Sequence, residues 1–163
     1  MLHEGFELRL ATLVDLPALN QVIEAAVMSW QLPERVKRLS LASYRYDETD
    51  LQHLEIWVAE DSALGIVGVA GWEAADPLDL PKDWQGVLLH GLYVMPEQHG
   101  RGWGRRLLAL AESTVAQGGY DGVLVKAQAE AVGFFERQGY EYLPVEDGAR
   151  HYAQRMWKRV SPS

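Results

Sequence analysis

The chain contains no cysteine among its 163 residues. Disulfide bonds, thiol nucleophiles and thiolate metal sites are therefore excluded. The histidines, at positions 3, 53, 90, 99 and 151, show neither HxxxH nor HExxH spacing, so we predict that no metal is bound.

Positive charge is also scarce. Fifteen Lys and Arg face 23 Asp and Glu, the formal net charge is −8, and the pI is near 5.1. Phosphate backbones are bound by clustered Lys and Arg, so we expect no nucleic-acid partner, whereas a cationic substrate such as an amine is compatible. No apolar run approaches membrane-spanning length, and the N-terminal residues lack the pattern of a signal peptide. We expect a cytoplasmic protein with no membrane partner and a single domain over residues 1–163.

Hydrophobic periodicity predicts a mixed α/β protein. Strands are predicted at "FELRLAT", "LEIWVAED", "GIVGVAGWEAA", "GVLLHGLYV" and "DGVLVKA", with two more in "YEYLPVEDGARHYAQRMWKRV". Helices are predicted at "VDLPALNQVIEAAVMSW", "PERVKRLSLASY", "GRRLLALAESTVAQGG" and "QAEAVGFFERQG", with Asp15 as a helix cap. The order β-α-α-β-β-β-α-β-α-β-β indicates parallel crossovers combined with a hairpin meander, in a sheet covered by helices.

Three glycines, Gly100, Gly102 and Gly104, separate the fourth strand from the third helix. Free N–H groups and the helix dipole favour an anion at a helix start, and glycine lets the backbone approach it closely. Positive charge is added around the same loop by Arg101, Arg105 and Arg106. We infer a phosphate or pyrophosphate ligand, with a simple glycine-rich turn as the alternative. The loop lacks the GK[S/T] signature of a P-loop, and its glycine spacing does not match the GxGxxG of dinucleotide-binding folds.

The stretch "LYVMPEQHGRGWGRRLL" resembles motif A of the GNAT (GCN5-related) N-acetyltransferases, in which Leu-Tyr-Val-x-Pro precedes [Arg/Gln]-x-x-Gly-x-[Gly/Ala]. His99 departs from that pattern, because it occupies the usual Arg or Gln position. "AQAEAVGFFERQGYEYL" resembles the family's second signature, with Gln128 at its Asn position and Ala131 at its Ala. "EDGARHYAQRM" is similar to a bacterial subgroup with a His, here His151, a few residues before a Met, here Met156. The resemblance covers residues 88–156.

The resemblance implies a mostly antiparallel sheet of about seven strands flanked by about four helices. It also implies acetyl-CoA as cosubstrate, no metal, and the pyrophosphate on the amides of residues 100–105. In the family the fourth strand splays from the fifth, and the pantetheine arm pairs with the strand backbone, here at residues 92–94. The cofactor-binding residues so implied are Leu92, Tyr93, Val94, His99, Gly100, Arg101, Gly102, Trp103, Gly104, Arg105, Gln128 and Phe135.

Acetyl transfer to an amine needs a base, because an ammonium must first lose a proton. We consider His90, Glu73 and His151 as catalytic candidates, each with a structural role as the alternative. Strand parity places His90 on the face of Leu92 and Val94, and an imidazole titrates in the range that suits a base. A backbone N–H near Val94 is the expected donor to the developing oxyanion. Two tryptophans, Trp30 and Trp72, either wall an amine pocket or belong to the core.

The family often supplies an acid from a tyrosine that aligns here with Phe135, which has no proton to donate. Tyr93, Tyr140 and Tyr142 are possible substitutes. The main prediction is an N-acetyltransferase acting on a small amine, a peptide N-terminus or a lysine, with a homodimer allowed. A non-catalytic acyl-CoA-binding or sensing module is the alternative, and a dinucleotide-dependent enzyme fits worse. We expect the acceptor to be selected by the first two helices and residues 76–86.

Overall fold

A computed structural model describes residues 5–151 and 154–160 of the chain. Residues 152 and 153, within the predicted C-terminal strand pair, lie outside the described residues. The strands are β1 (Phe6–Leu10), β2 (Glu55–Asp61), β3 (Gly65–Ala74), β4 (Gly86–Val94), β5 (Gly122–Lys126), β6 (Glu141–Tyr142) and β7 (Arg155–Arg159). The helices are α1 (Leu16–Met28), α2 (Glu34–Tyr44), α3 (Glu48–His53), α4 (Trp103–Gly118) and α5 (Val132–Arg137).

The seven strands form one sheet in the order β1-β2-β3-β4-β5-β7-β6. Strands β4 and β5 run parallel, whereas the pairs β1–β2, β5–β7 and β6–β7 are antiparallel. The predicted mixed, mostly antiparallel sheet is therefore confirmed. The β4–β5 register runs from Gly86 opposite Gly122 to Leu89 opposite Val125, so β4 continues for five residues beyond its last β5 partner.

One helix was not predicted. The six residues of α3 follow Asp47, whose carboxylate accepts the N–H of Asp50 at 2.9 Å, while the Asp50 carboxylate accepts the N–H of Asp47. This reciprocal pair is a capping box with aspartate at its third position. A helix of under two turns leaves too short a periodic pattern to recognise in the sequence.

The chain divides into two compact units, and β3, β4 and α4 each have residues in both. The first unit comprises the residues up to Gly71 together with Gly91–Leu108; the second comprises Trp72–His90 and the chain from Ala109 onwards. The single domain over residues 1–163 stays a prediction. In the first unit the apolar stripe of α1 packs on β2, β3 and Tyr93; its buried members are Leu19, Val22, Ile23, Ala26 and Val27.

Asp15 is the N-cap residue of α1, as predicted, but its side chain makes no capping hydrogen bond to the helix. Its carboxylate instead accepts two hydrogen bonds from Arg9, at 2.8 and 3.0 Å, and one from the Thr12 N–H at 2.7 Å. Asp15 is buried, so a charged guanidinium is a stronger partner for it than the amides of the helix start. Arg9 also reaches Glu60, which joins β1 to β2 by side chains as well as backbone.

The second unit has its own core. Its buried side chains include Trp72, Val87, Leu89, Ala111, Val115, Val123, Leu124, Val125, Phe135, Tyr140 and Met156. Tyr140 donates its hydroxyl proton to Glu112 at 2.9 Å, and Lys158 lies 3.3 Å from the same carboxylate. Among the described residues, no helix is both long and apolar enough to cross a membrane.

Candidate functional site

The glycine loop (residues 99–104) of the first unit adopts the conformation that its sequence predicts. Gly100 has φ +81° and Gly102 has φ +86°, which L-residues with a side chain rarely adopt. A methyl group on Gly100 would find nothing within 4 Å, so the space beside the backbone is open. Helix α4 begins at Trp103, and the N–H groups of its first turn have no intrahelical acceptor. The loop thus offers backbone donors and an open approach to an anion.

The arginines in and directly after the glycine loop differ in their exposure and contacts. Arg101 and Arg105 are exposed. Arg106 instead stacks over the Phe6 ring at 4.9 Å and over the buried Trp103 ring at 5.5 Å. Trp103 packs edge-on against Phe6, with ring centroids 5.3 Å apart, so its side chain belongs to the core and only its backbone belongs to the loop.

The side chains of residues 92–94 alternate between the buried and the half-exposed face of β4. Tyr93 is buried beside Tyr44, with ring centroids 6.4 Å apart, and burial raises the pKa of its hydroxyl well above the usual value. Leu92 and Val94 lie on the other, half-exposed face. The His99 ring reaches back to the Val94 carbonyl at 3.2 Å, which ties the loop to the end of β4. A buried phenol with a raised pKa gives up its proton reluctantly, which argues against Tyr93 as the acid.

In the second unit, two of the three catalytic candidates meet. Nε2 of His90 is hydrogen-bonded to Oε2 of Glu73. Both side chains are partly exposed, at 37% and 40%. With the carboxylate accepting the Nε2–H, the neutral imidazole carries its lone pair on Nδ1, and the carboxylate stabilises the ring after it takes up a proton. The pair has the form of an oriented general base.

The third candidate, His151, lies in a loop and has both ring nitrogens engaged. Its Nδ1 accepts the N–H groups of Glu146 and Asp147, each at 3.2 Å, and its Nε2 lies 3.1 Å from the carbonyl of Leu78. An imidazole that accepts on one side and donates on the other has no nitrogen left for a substrate proton. The geometry favours a structural role for His151.

Phe135 lies in the core of the second unit, 4% exposed, between the rings of Phe134 and Tyr140. Burial, together with the neighbouring Glu112 carboxylate, raises the pKa of the Tyr140 hydroxyl far above its usual range. Tyr142 is 48% exposed on the short strand β6, and Gln128 stands before a 3₁₀ turn at Ala129–Ala131. Phe135 itself carries no proton to donate, and the ring neighbours found for it in the described part of the chain are Phe134 and Tyr140.

The two tryptophans differ. Trp30 is half-buried and packs edge-on against Tyr44, with ring centroids 5.5 Å apart. Trp72 is 1% exposed, and its Nε1 has no hydrogen-bond partner in the described part of the chain. Trp72 thus belongs to the core, and only Trp30 offers a surface to a ligand.

Sequence reasoning missed a set of arginines that hold residues 76–80. Arg150 reaches the Asp76 carboxylate at 2.9 Å and that of Asp79 at 3.0 Å. Arg155 donates to the Asp79 and Pro144 carbonyls, both at 2.6 Å. No motif marks the contacts with residues 76–79, because their partners lie more than 70 residues away in the chain. No group of three or more potential metal ligands occurs among residues 5–151 and 154–160.

Solved structures share this fold. The PaiA N-acetyltransferase from Thermoplasma acidophilum in complex with coenzyme A is 16% identical, with a TM-score of 0.75 over 95% of this chain and 99% of that one. A GNAT family acetyltransferase from Brucella melitensis in complex with acetyl-CoA is 17% identical, with a TM-score of 0.64 over 99% and 92% of the two chains.

Sequence comparison agrees. The family model described as an acetyltransferase (GNAT) domain matches residues 52–142, more than half of the chain. A curated relative from Pseudomonas paraeruginosa, an L-methionine sulfoximine/L-methionine sulfone acetyltransferase, is 30% identical over 141 residues, which are 82% of this chain and 79% of the relative. The glycine loop before α4 and these matches together show that the chain belongs to the GNAT family of acetyltransferases.

Proposed function

We propose that this acetyltransferase transfers the acetyl group of acetyl-CoA to the primary amine of a small molecule. The observation that carries the proposal is the pair of positive-φ glycines before α4, since they leave open the space that a phosphate would enter. The solved GNAT structures with coenzyme A or acetyl-CoA support the choice of cosubstrate. Acetyl-CoA supplies an activated acyl group as its thioester.

In this proposal the residues of the glycine loop hold the pyrophosphate. Backbone N–H groups of residues 100–105 donate to the phosphate oxygens, and the exposed Arg101 and Arg105 add positive charge. The backbone of Leu92 and Val94 pairs with the pantetheine arm, and an N–H near Val94 faces the thioester oxygen. We retain Gln128 and Phe135 as cofactor contacts on the strength of the resemblance alone.

The Glu73–His90 pair removes the proton from the acceptor. Nδ1 of His90 takes a proton from the substrate ammonium, directly or through water, and the neutral amine then becomes the nucleophile. Glu73 holds the ring in the tautomer that leaves Nδ1 free and stabilises the imidazolium. We propose no dedicated acid, because a thiolate leaves without prior protonation more readily than an alkoxide does.

The acceptor class is proposed from the curated relative. L-Methionine sulfone and L-methionine sulfoximine, named for that relative, are small molecules with one primary amine. We therefore rank small amines above a peptide N-terminus or a protein lysine. The proposal also retains a single domain, a cytoplasmic location and action without nucleic acid or membrane, and it allows a homodimer.

The test is release of coenzyme A thiol with a panel of amines. Because the chain has no cysteine, a thiol reagent reports only coenzyme A, with no background from the protein. The panel contains L-methionine sulfone, L-methionine sulfoximine, L-lysine, spermidine and a peptide with a free N-terminus. We expect turnover with at least one small amine. Acetyl-CoA binding without turnover of any of them would instead support a non-catalytic acyl-CoA-binding module.

A further inference from the structure

Arg155 is a buried cation that has no acidic partner among the described residues. Its side chain is 2% exposed, its Nη1 and Nη2 donate to two backbone carbonyls, and its Nε has no partner in the described part of the chain. The carboxylate of Asp79, whose carbonyl it contacts, is turned to Arg150. Burying a charge without a counter-ion is unfavourable, so the position needs an explanation.

A second cation stands beside it. In the antiparallel pair of β5 and β7, Lys126 lies directly opposite Arg155. Side chains opposite each other share one face of the sheet with their Cβ atoms roughly 5 Å apart, and like charges in such a pair are destabilising. No ion pair is found for Lys126 or Arg155 within residues 5–151 and 154–160. Two neighbouring cations of this kind are suited to share one anion.

The sheet register places this pair on the face of the proposed base. Leu88 lies opposite Leu124, and Leu124 lies opposite Trp157, so alternate residues put His90, Lys126 and Arg155 on one face. His90 follows Leu89, and Lys126 follows Val125, the β5 partner of Leu89. Arg155 lies opposite Lys126, so His90, Lys126 and Arg155 stand at the same height along their strands. Strand β5 stands between β4 and β7, so His90 and Arg155 are two strands apart in the sheet.

We propose that Arg155 and Lys126 bind a carboxylate of the acceptor, which makes the acceptor an amino acid rather than a simple amine. The Nε–H of Arg155 and an outer N–H of its Nη lie on one edge of the guanidinium and match the two oxygens of a carboxylate. Lys126 donates to the same group from the exposed side. A substrate held there presents its amine towards the Glu73–His90 pair. This proposal rests on the proposed function.

The test compares L-methionine sulfone with its primary amide, which differs only in the charge of the carboxyl group. For the wild-type enzyme we expect kcat/KM to be roughly 10²-fold higher for the acid, the effect of charge-assisted hydrogen bonds. In Arg155→Gln the two values should come within a few-fold of each other, through a rise in KM for the acid. Equal kcat/KM for acid and amide in the wild type, or a preference that survives in Arg155→Gln, would overturn the proposal.

Because Arg155 also holds two loops, its replacement can disturb folding, and Lys126→Met provides the independent arm. We expect a KM for the acid raised roughly 3- to 10-fold, with the KM for the amide unchanged. Arg137→Met, which removes an exposed cation of α5 in the second unit, is the matched control and should leave both KM values unchanged. An unaltered acid KM in Lys126→Met counts against the proposal. Turnover of spermidine but not of amino acids would overturn it while the proposed function stands; no turnover with any amine would overturn both.

Discussion

In the glycine loop of the first unit, the hydrogen-bond donors proposed for a ligand belong to the backbone, and Arg101 and Arg105 add only charge. Gly100 and Gly102 have positive φ angles and no side chain, and a Cβ on Gly100 would stand in open space. In the second unit, the reactive groups are side chains that hold each other: Glu73 with His90, and Glu112 with both Tyr140 and Lys158. In the proposed function, the first unit binds the cofactor through its backbone, and the second unit acts on the substrate through paired side chains.

This difference determines how each unit responds to substitution. A backbone donor cannot be removed by truncating a side chain, so the glycine loop is disturbed only by adding atoms or by changing φ. A paired side chain is lost by replacing either partner, and the remaining partner is then left without its hydrogen bond. Defects in the first unit should therefore appear in cofactor affinity, and defects in the second unit in the rate of the chemical step.

The largest effect is expected at the Glu73–His90 pair. His90→Gln should lower kcat by roughly 10²- to 10⁴-fold, the usual range for loss of a general base, with the dissociation constant for acetyl-CoA unchanged. Glu73→Gln should lower kcat less, because the ring persists but loses its orienting carboxylate. His53→Gln, at an exposed histidine of α3, is the control. An unchanged kcat in His90→Gln would leave solvent as the base.

The glycine loop provides the second comparison. Gly100 and Gly65 both have positive φ, at +81° and +82°, and a Cβ on either would contact nothing within 4 Å. Alanine should therefore destabilise the fold by about 1 kcal/mol at both positions. Only Gly100→Ala should also raise the dissociation constant for acetyl-CoA, on the order of tenfold, measured by calorimetry. Equal affinities in the two variants would mean that the loop does not hold the pyrophosphate.

The third prediction concerns stability of the first unit in acid. The hydrogen bonds from Arg9 lower the pKa of the Asp15 carboxyl to about 2 from 3.8. A lowered pKa in the folded state adds stability above the ordinary carboxyl pKa, and this stability is lost as the pH falls from about 4 towards about 2. The wild type should lose up to ~2 kcal/mol of unfolding free energy over that range that Asp15→Asn does not lose. Parallel acid dependence in denaturant titrations of both proteins would contradict this assignment.

The smallest effect is expected at Tyr140 in the second unit. Tyr140→Phe removes one hydrogen bond to Glu112, which retains Lys158, so the unfolding free energy should fall by about 1 kcal/mol. The kcat and its dependence on alkaline pH should not change, because this buried hydroxyl holds its proton through the working range. A fall in kcat on the alkaline side would instead identify Tyr140 as the acid that Phe135 lacks.

Much of the fold could be predicted, because it rests on local patterns. The residues of β4, "GVLLHGLYV", match the predicted strand, and the predicted apolar stripe of α1 is the one that is buried. Short elements such as α3 could not be predicted, since six residues carry too little periodicity. Asp15 was correctly placed at the start of α1, but the partner of its carboxylate could not be predicted, because Arg9 comes from a neighbouring strand and competes with the local amides of the helix start.

The candidate site was predicted unevenly for the same reason. The glycine loop was recognisable because its residues are contiguous and the required positive φ favours glycine. His90 and Glu73 were separate alternatives in the sequence, and the fold makes them one pair. His151 was a third catalytic candidate in the sequence, and only the contacts of its ring nitrogens favour a structural role for it. The burial of Arg155 could not be predicted, because the side chains of a strand alternate between the two faces of the sheet and the sequence does not show which face is buried.

The sequence by itself determined the order of the strands and of every helix except α3, the glycine loop before α4 and the family, since each depends on residues close together in the chain. Only the tertiary structure decided that Glu73 meets His90, that Phe135 and Trp72 belong to the core, and that Lys126 and Arg155 stand opposite each other. The physical reason is strand register. A shift of one residue would turn every side chain of a strand to the other face, and register is set by the packing of the whole sheet.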